Sequence, residues 1–277
     1  MNFSTFFLVL IVSFISASAQ TPDMPINDNS FLIEEAYNQE KGVFQNILLM
    51  QIEKSEIADG VHYAFKGSFT QEWPLGGNKH QLSYSVPYWF NGPFEWLDNI
   101  LINYRYQLEF KNLFFAPRIS FQIPTAPGKE NKFKGIQFFI PASFEADKLW
   151  TFHFNAGYAT GKCISNVDYD KVSYNTCTTG GSIIYNLSNR FNLMFEALVT
   201  AEKTDRVYNS EYRLDSKTIS SILNPGFRWA KNFKNDAQLD LGFSKPYSIN
   251  DSDMKEEDDS QFGVLLYFSY EAFFQKH

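Results

Sequence analysis

Some common functional signals are missing from this 277-residue sequence. Beyond Gln20 there is no run of 18 apolar residues, which excludes helical membrane spans. No Gly-x-Ser-x-Gly, His-Glu-x-x-His, phosphate-binding loop or dinucleotide fingerprint is present, so no catalytic motif indicates an enzyme. An excess of basic residues is also missing: the net charge is -7, which argues against nucleic-acid binding.

Apolar and aromatic residues are nevertheless abundant. Apolar types make up 44% of the chain and aromatic types 18%, yet the mean hydropathy is only -0.29. This combination is typical of strands that alternate between a lipid-facing side and a polar side. The alternation predicts about twelve strands, most of them at least as long as the roughly 9 to 11 residues that a tilted membrane strand needs. They cover residues 43–52, 60–73, 79–90, 97–110, 113–124, 136–146, 149–160, 177–187, 190–201, 217–230, 236–247 and 261–274.

The connections between these strands fall into two classes. Short connections are predicted at one end of the sheet, at residues 74–78, 111–112, 147–148, 188–189 and 231–235. Longer polar loops are predicted at the other end, at residues 53–59, 91–96, 125–135, 161–176, 202–216 and 248–260. Short periplasmic turns and long outer loops are the rule in outer-membrane barrels. The sequence therefore predicts an all-β fold, a transmembrane antiparallel up-and-down β-barrel with both termini in the periplasm.

The positions of the aromatic residues agree with this architecture. On the strand predicted over residues 149–160, one face carries Trp150, Phe152, Phe154, Ala156 and Tyr158, and the other carries Thr151, His153, Asn155 and Gly157. The tryptophans fall near predicted strand ends: Trp73, Trp150 and Trp229 at the short-turn end, Trp89 and Trp96 at the long-loop end. Aromatic girdles of outer-membrane barrels have this placement. The alternative is that these residues are core aromatics of a soluble sheet.

The first 42 residues precede the predicted barrel, which covers residues 43–277. Residues 1–19 contain an apolar stretch and end in Ala17-Ser18-Ala19, which is typical of a cleavable signal peptide. Residues 20–42 are predicted to form a periplasmic segment with a short helix that begins after Ser30. The apolar face of this helix must be buried, either as a plug at the periplasmic mouth of the barrel or as a packed leader without a gating role.

Charged residues on the predicted inward faces form the candidate functional site. These residues are Lys66, Glu72, Arg105, Glu109, Arg118, Glu145, Glu196, Arg228 and Asp240, together with His62 and His153. A barrel of twelve strands is wider than a filled barrel of eight and narrower than a porin of sixteen. The charges could therefore line a narrow pore or close it through ion pairs across the lumen. We expect Arg105 and Arg118 to form a cationic ladder that faces Glu109 or an anionic solute.

Cys163 and Cys177 lie at the edges of the loop predicted over residues 161–176. In an oxidising compartment an isolated pair of this kind is most simply a disulfide, which would stabilise the protein by roughly 3 kcal/mol. No His or further Cys lies nearby to complete a metal site, and no cofactor is expected. The acidic stretch over residues 251–259 is predicted to be a solvated loop; the alternative, a Ca²⁺ site, lacks the ligand spacing of an EF-hand.

The last predicted strand has Phe262, Val264, Leu266, Phe268, Tyr270, Ala272 and Phe274 at every second position. It resembles the C-terminal signature of outer-membrane proteins, although three residues follow Phe274, and the resemblance implies recognition by the barrel assembly machinery. Nearly the whole mature chain is similar to the outer-membrane β-barrel superfamily. Residues 29–40 resemble the opening segment of barrels in the family labelled meta-pathway phenol-degradation proteins. That second resemblance implies transport of small solutes, including hydrophobic or aromatic ones.

The sequence therefore predicts a channel or facilitator for small solutes in the outer membrane of a Gram-negative bacterium. Its expected partners are outer-membrane lipid, lipopolysaccharide and a small-molecule solute. Two other classes stay open. A structural or adhesive surface barrel would have a closed lumen and no conductance. A barrel-type hydrolase would need a serine nucleophile and a histidine base to converge in space.

Overall fold

The computed structural model describes residues 30–57, 60–91, 94–97, 99–124, 134–163, 171–208, 212–233, 238–252 and 262–273. The predicted signal peptide, most of the predicted acidic loop and Phe274 lie outside these ranges. The side chains of His62, Trp89, Trp96 and Cys163 also lie outside the described part of the structure.

Twelve strands pair with their sequence neighbours in one antiparallel sheet. They are β1 (Val43–Ile57), β2 (Gly60–Pro74), β3 (His80–Asn91), β4 (Phe94–Leu97, Ile100–Tyr106 and Leu108–Phe110), β5 (Leu113–Phe115 and Arg118–Ile123), β6 (Lys134–Glu145), β7 (Trp150–Cys163), β8 (Lys171–Ser188), β9 (Phe191–Tyr208), β10 (Tyr212–Asn232), β11 (Gln238–Ser244 and Tyr247–Ser252) and β12 (Phe262–Phe273). β12 pairs with β1, with Val43 opposite Phe273 and Lys54 opposite Phe262, so the sheet closes on itself. The predicted twelve-stranded antiparallel barrel is confirmed.

Short turns join the strands at one end of the barrel. Lys111 has a positive φ of 57° and joins β4 to β5 together with Asn112. In the turn between β6 and β7, Asp147 Oδ1 accepts hydrogen bonds from the backbone N–H of Leu149 (2.7 Å) and of Trp150 (2.9 Å). An aspartate that bonds the backbone two or three residues onward favours a tight turn. In outer-membrane barrels the short turns face the periplasm.

The strands at the other end are longer than the sequence predicts. β8 and β9 each have 18 residues and β10 has 21, roughly twice the length that a membrane strand needs. The predicted loop bounds over residues 161–176 and 202–216 are therefore wrong, because pairing between β9 and β10 continues until Tyr208 lies opposite Tyr212. These extensions carry few apolar side chains, so the apolar alternation that indicates a membrane strand is short and weak there.

Side chains alternate between an apolar exterior and a mostly polar interior. On β7 the side chains of Thr151, His153 and Asn155 are buried, whereas Phe154 is 59% exposed. Large apolar side chains are exposed around the wall: Phe65, Ile102, Phe121, Phe138, Ile140, Ile183, Phe195, Ile219, Phe227 and Leu241. A soluble sheet would bury these side chains, whereas a barrel in a bilayer turns them to lipid. The protein is therefore an outer-membrane β-barrel.

The three tryptophans whose side chains are described lie at the short-turn end. Trp150 and Trp229 are exposed on the outside, and their exposed fractions are 40% and 39%. Trp73 is half-buried, with its ring centroid 5.9 Å from that of Tyr84. Among the described residues no helix is long and apolar enough to cross a membrane.

The predicted disulfide between Cys163 and Cys177 is wrong. Cys177 is an exposed free thiol. In the register of β7 with β8, Cys163 lies opposite Val172 and Cys177 lies opposite Tyr158. The two cysteines are therefore offset by five residues along the sheet, about 17 Å at the rise of an antiparallel strand. A disulfide needs Cα atoms within about 7 Å of each other.

Candidate functional site in the barrel lumen

Residues 30–41, called the N-terminal segment from here on, lie inside the barrel. The segment joins β1 through a turn at Lys41 and Gly42, in which the N–H of Val43 donates to the carbonyl of Glu40 (3.0 Å). Ile33 and Ala36 are 1% and 0% exposed, and other buried members are Ser30, Phe31, Glu35 and Gln39. The predicted helix after Ser30 is wrong, since the described residues of the segment contain no helical turn.

The backbone of the N-terminal segment donates its hydrogen bonds to side chains of the barrel wall. The acceptors are Glu196 Oε1 for the N–H groups of Leu32 (2.9 Å) and Ile33 (3.0 Å), Ser143 Oγ for Ala36 (2.8 Å), Gln107 Oε1 for Asn38 (2.6 Å) and Gln81 Oε1 for Gln39 (2.7 Å). A buried N–H that lacks an acceptor costs free energy. Because β3, β4, β6 and β9 each supply an acceptor, the segment does not need the internal hydrogen bonds of a helix.

Glu34 of the segment lies between two arginines of the wall. Its Oε1 is 3.3 Å from the Nη1 of Arg105, and its Oε2 is 3.0 Å from the Nη2 of Arg118. Arg105 and Arg118 are direct partners in the register of β4 with β5. The predicted cationic ladder is therefore present, but its anion is Glu34. Glu109, the anion predicted from the sequence, is exposed beside the turn that joins these two strands.

Arg105 is the side chain of the wall with the most bonds to the segment. Besides Glu34, its Nε donates to Asn38 Oδ1 (2.8 Å) and its Nη1 to the carbonyl of Glu35 (3.2 Å). Its Nη2 donates to the carbonyl of Tyr37. Hydrogen bonds with an ionised partner are stronger than those between neutral groups. Arg105 thus fixes the course of the segment over residues 34–38.

The other end of the segment fills an apolar pocket of the wall. The Phe31 side chain packs in a cluster with wall residues of β8, β9 and β12, which are Ile184, Met194, Leu265 and Tyr267. The centroids of the Phe31 and Tyr267 rings are 5.4 Å apart. Two glycines of neighbouring strands make room for the Phe31 ring: a Cβ at Gly226 would lie 2.9 Å from it, and one at Gly242 would overlap it. Ser30 extends this contact, with its Oγ 2.6 Å from Ser182 Oγ.

Tyr37 anchors the middle of the segment against β6 and β7. Its hydroxyl donates to Glu145 Oε1 (2.9 Å), and its ring lies edge-on to the His153 ring. Burial, assisted by the negative charge of Glu145, raises the pKa of Tyr37 well above its usual range, so the phenol stays protonated and keeps donating.

His153 is paired with a serine, which bears on the hydrolase alternative. Its Nδ1 lies 2.7 Å from Ser143 Oγ, the same oxygen that accepts the N–H of Ala36. Among the described residues, no group bonds the Nε2 of His153. A catalytic histidine is normally oriented by a third group on its other nitrogen. Within the described residues, Ser143 and His153 therefore lack the orienting group that accompanies a catalytic nucleophile and base.

Two further predicted lumen residues, Arg228 and Asp240, pair with each other. Arg228 and Asp240 form a buried ion pair of 2.8 Å, and the Arg228 guanidinium lies over the Tyr267 ring at 5.0 Å. Lys66 is exposed and lies opposite Gln51 in the register of β2 with β1. Asp240 and Arg228 therefore tie β11 to β10.

Reasoning from charge alone missed the uncharged members of the site. Gln81, Gln107, Ser143 and Ser182 hold the segment, yet as isolated polar residues in strands they carry no motif. Their signal in the sequence is their position on the inner face of strands whose other face is apolar. The sequence indicated Glu34 only as an acid near a helix start, because the two arginines that bind it lie 71 or more residues away in the chain.

Taken together, the barrel and its occupied lumen have the fold of an outer-membrane channel. No family model and no curated protein matches the chain. Its structure is similar to the COG4313 outer membrane channel from Pseudomonas putida F1, with a TM-score of 0.61 and 8% identity over 88% of this chain and 100% of that one. Lower similarity is found to the NanC porin (TM-score 0.48, 10% identity, 83% and 100% covered) and to the P. putida toluene transporter TodX (0.43, 9%, 86% and 92%). The meta-pathway resemblance stays a prediction.

Proposed function

We propose that the protein is an outer-membrane channel for small solutes, and that its N-terminal segment closes the lumen. The observation that carries the proposal is the way the segment is held: Glu34, Tyr37 and the backbone N–H groups bond to wall side chains. The strands of the wall pair only with one another around the ring. The segment can therefore leave the lumen while every strand keeps its ladder.

The polar character of these contacts also supports a reversible closure. Phe31 and Ile33 bury apolar surface, but the ion pairs of Glu34 add little net stability once the desolvation of the charged groups is counted. Water or a solute can replace Glu34 at the arginines and the N–H groups at Glu196. In this proposal residues 1–19 are a signal peptide, the apolar exterior contacts lipid and lipopolysaccharide, and the barrel assembly machinery inserts the chain.

A structural surface barrel is the second candidate, because a filled lumen would also suit a protein without a transport role. The first experiment compares single-channel conductance of the mature chain with that of a variant lacking residues 20–41, both shown to be folded by heat-modifiable mobility. We expect rare openings in the mature chain and a steady current in the variant, because the lumen then loses its occupant.

A folded variant without current would refute the channel and favour the structural barrel. If the truncated chain fails to fold, the full-length Glu34→Gln protein replaces it, since that change removes both ion pairs of the segment and leaves the chain intact.

A further inference from the structure

We infer that the solute of this channel is a small carboxylate with an apolar or aromatic body, and that the N-terminal segment occupies the solute's site as an internal mimic. The inference rests on the proposed channel function and adds the chemical class of the solute. It depends on two features of the wall that stay in place when the segment leaves: a pair of arginines and an apolar pocket.

The arginine pair requires an anion. Arg105 and Arg118 are direct cross-strand partners, and like charges in that position destabilise a sheet. The Nη1 of Arg118 is also bonded to Asn103 Oδ1 (2.9 Å) and Ser120 Oγ (2.6 Å), which holds the guanidinium toward the lumen. The fork of an arginine matches the two oxygens of a carboxylate, and here Glu34 supplies that group.

Among the described residues of the wall, Glu72 is a carboxylate that acts on the arginine pair. Glu72 interacts electrostatically with both arginines, and it is held by the Nε2 of Gln81 at 2.8 Å. One carboxylate against two guanidiniums leaves one positive charge uncompensated when Glu34 leaves. Positive charge in a narrow lumen with a low-dielectric wall attracts anions.

The apolar pocket lies at the other end of the segment. Ile184, Met194, Leu265 and Tyr267 belong to strands of the wall, so they still face the lumen after Phe31 leaves. Gly226 and Gly242 leave a recess in the wall that accepts an aromatic ring in the closed state. An exposed apolar recess of this kind favours an apolar ligand over water.

The segment also indicates the length of the solute. Phe31 and Glu34 are three residues apart, so their Cα atoms are separated by at most about 10 Å in an extended chain, and their side chains reach further, to β8–β12 and to β4–β5. A molecule that contacts both halves of the site needs a carboxylate at one end and an apolar or aromatic group at the other. The chain between them must be long enough to span the distance from the arginine pair to the apolar pocket. Single-ring phenylalkanoates have this form.

The test is the effect of 8-phenyloctanoate, whose chain can span both halves of the site, on single-channel openings of the full-length mature chain. Because the acid competes with Glu34 and Phe31 for the same positions, it should raise the open probability. The neutral 8-phenyloctanamide lacks the charge, and butanoate lacks the ring and most of the chain. We expect each of these controls to need a concentration at least about tenfold higher for the same effect, as the loss of one charge-assisted bond or one buried ring implies.

The Arg118→Gln variant tests the arginine pair while Arg105 and its backbone bonds stay in place. This variant should lose most of the preference for the acid over the amide. Equal potency of the acid and the amide on a conducting channel would overturn the inference and leave the channel function standing, and equal potency of butanoate would overturn the apolar half. If neither the mature chain nor its Glu34→Gln variant conducts, the proposed function itself fails.

Discussion

At the scale of single residues, Glu34 is the side chain whose charge matters most to the closed lumen. Its carboxylate forms ion pairs with both Arg105 and Arg118. Its removal leaves two guanidiniums facing each other across β4 and β5, so the arginines repel and the segment loses its strongest bonds.

We predict that Glu34→Gln opens the channel. Loss of two charged contacts should destabilise the closed state by about 2 kcal/mol, which corresponds to an open probability at least roughly tenfold higher. The matched control is Glu40→Gln, in the same segment but with an exposed side chain. Single-channel recording of the two variants decides the point: similar open probabilities would mean that the ion pairs do not hold the segment.

At the scale of elements, β10 and β11 shape the pocket for the segment through their glycines. A methyl group at position 242 would overlap the Phe31 ring, so Gly242→Ala should push Phe31 out of its pocket. Overpacking of this kind typically costs about 1 to 3 kcal/mol, and the cost should appear as a higher open probability.

The partner change Phe31→Ala identifies the cause of that effect. It should open the channel by itself, and in its presence Gly242→Ala should add nothing, because the overlapping ring is gone. Additive effects in the double variant would show that the alanine acts on the barrel wall instead. Heat-modifiable mobility serves as the control that both barrels are folded.

The elements also show which features could be predicted from the sequence. The alternation of apolar and polar residues predicted the bounds of β7 and β12 to within a few residues, because each membrane strand has one apolar face. The sequence did not predict the extensions of β8 to β10, because they lie beyond the apolar band of the barrel. Few apolar side chains mark the outer face of the strands there. The disulfide prediction is wrong for the same reason, since Cys163 ends β7 whereas Cys177 lies inside the extended β8.

The conformation of the N-terminal segment could not be predicted from local sequence. Residues 30–37 have the pattern of a short amphipathic helix, but helix formation in a segment this short depends on its surroundings. Here the surroundings are acceptors such as Glu196 and Ser143, which are brought near only when the barrel closes. Tertiary hydrogen bonds therefore decide the conformation. Alternation predicted that Arg105 and Arg118 face the lumen. It did not predict that Glu34 is their partner.

At the scale of the whole molecule, the central claim is that the channel opens only when the segment leaves the lumen. The pair Ser30 and Ser182 offers a reversible lock, because their Oγ atoms are 2.6 Å apart. Cysteines at these positions are close enough for a disulfide of about 2.05 Å. Replacing Cys163 and Cys177 with serine removes competing thiols, and the Glu34→Gln background supplies frequent openings.

The decisive measurement is the conductance of this Ser30→Cys/Ser182→Cys chain before and after reduction, with the Ser30→Cys single variant as control. We predict that the oxidised protein is silent, that a reductant restores openings to the level of the control, and that the control is insensitive to redox state. Equal conductance of the oxidised and reduced double variant, with the disulfide verified by mass, would contradict the claim that the segment gates the channel.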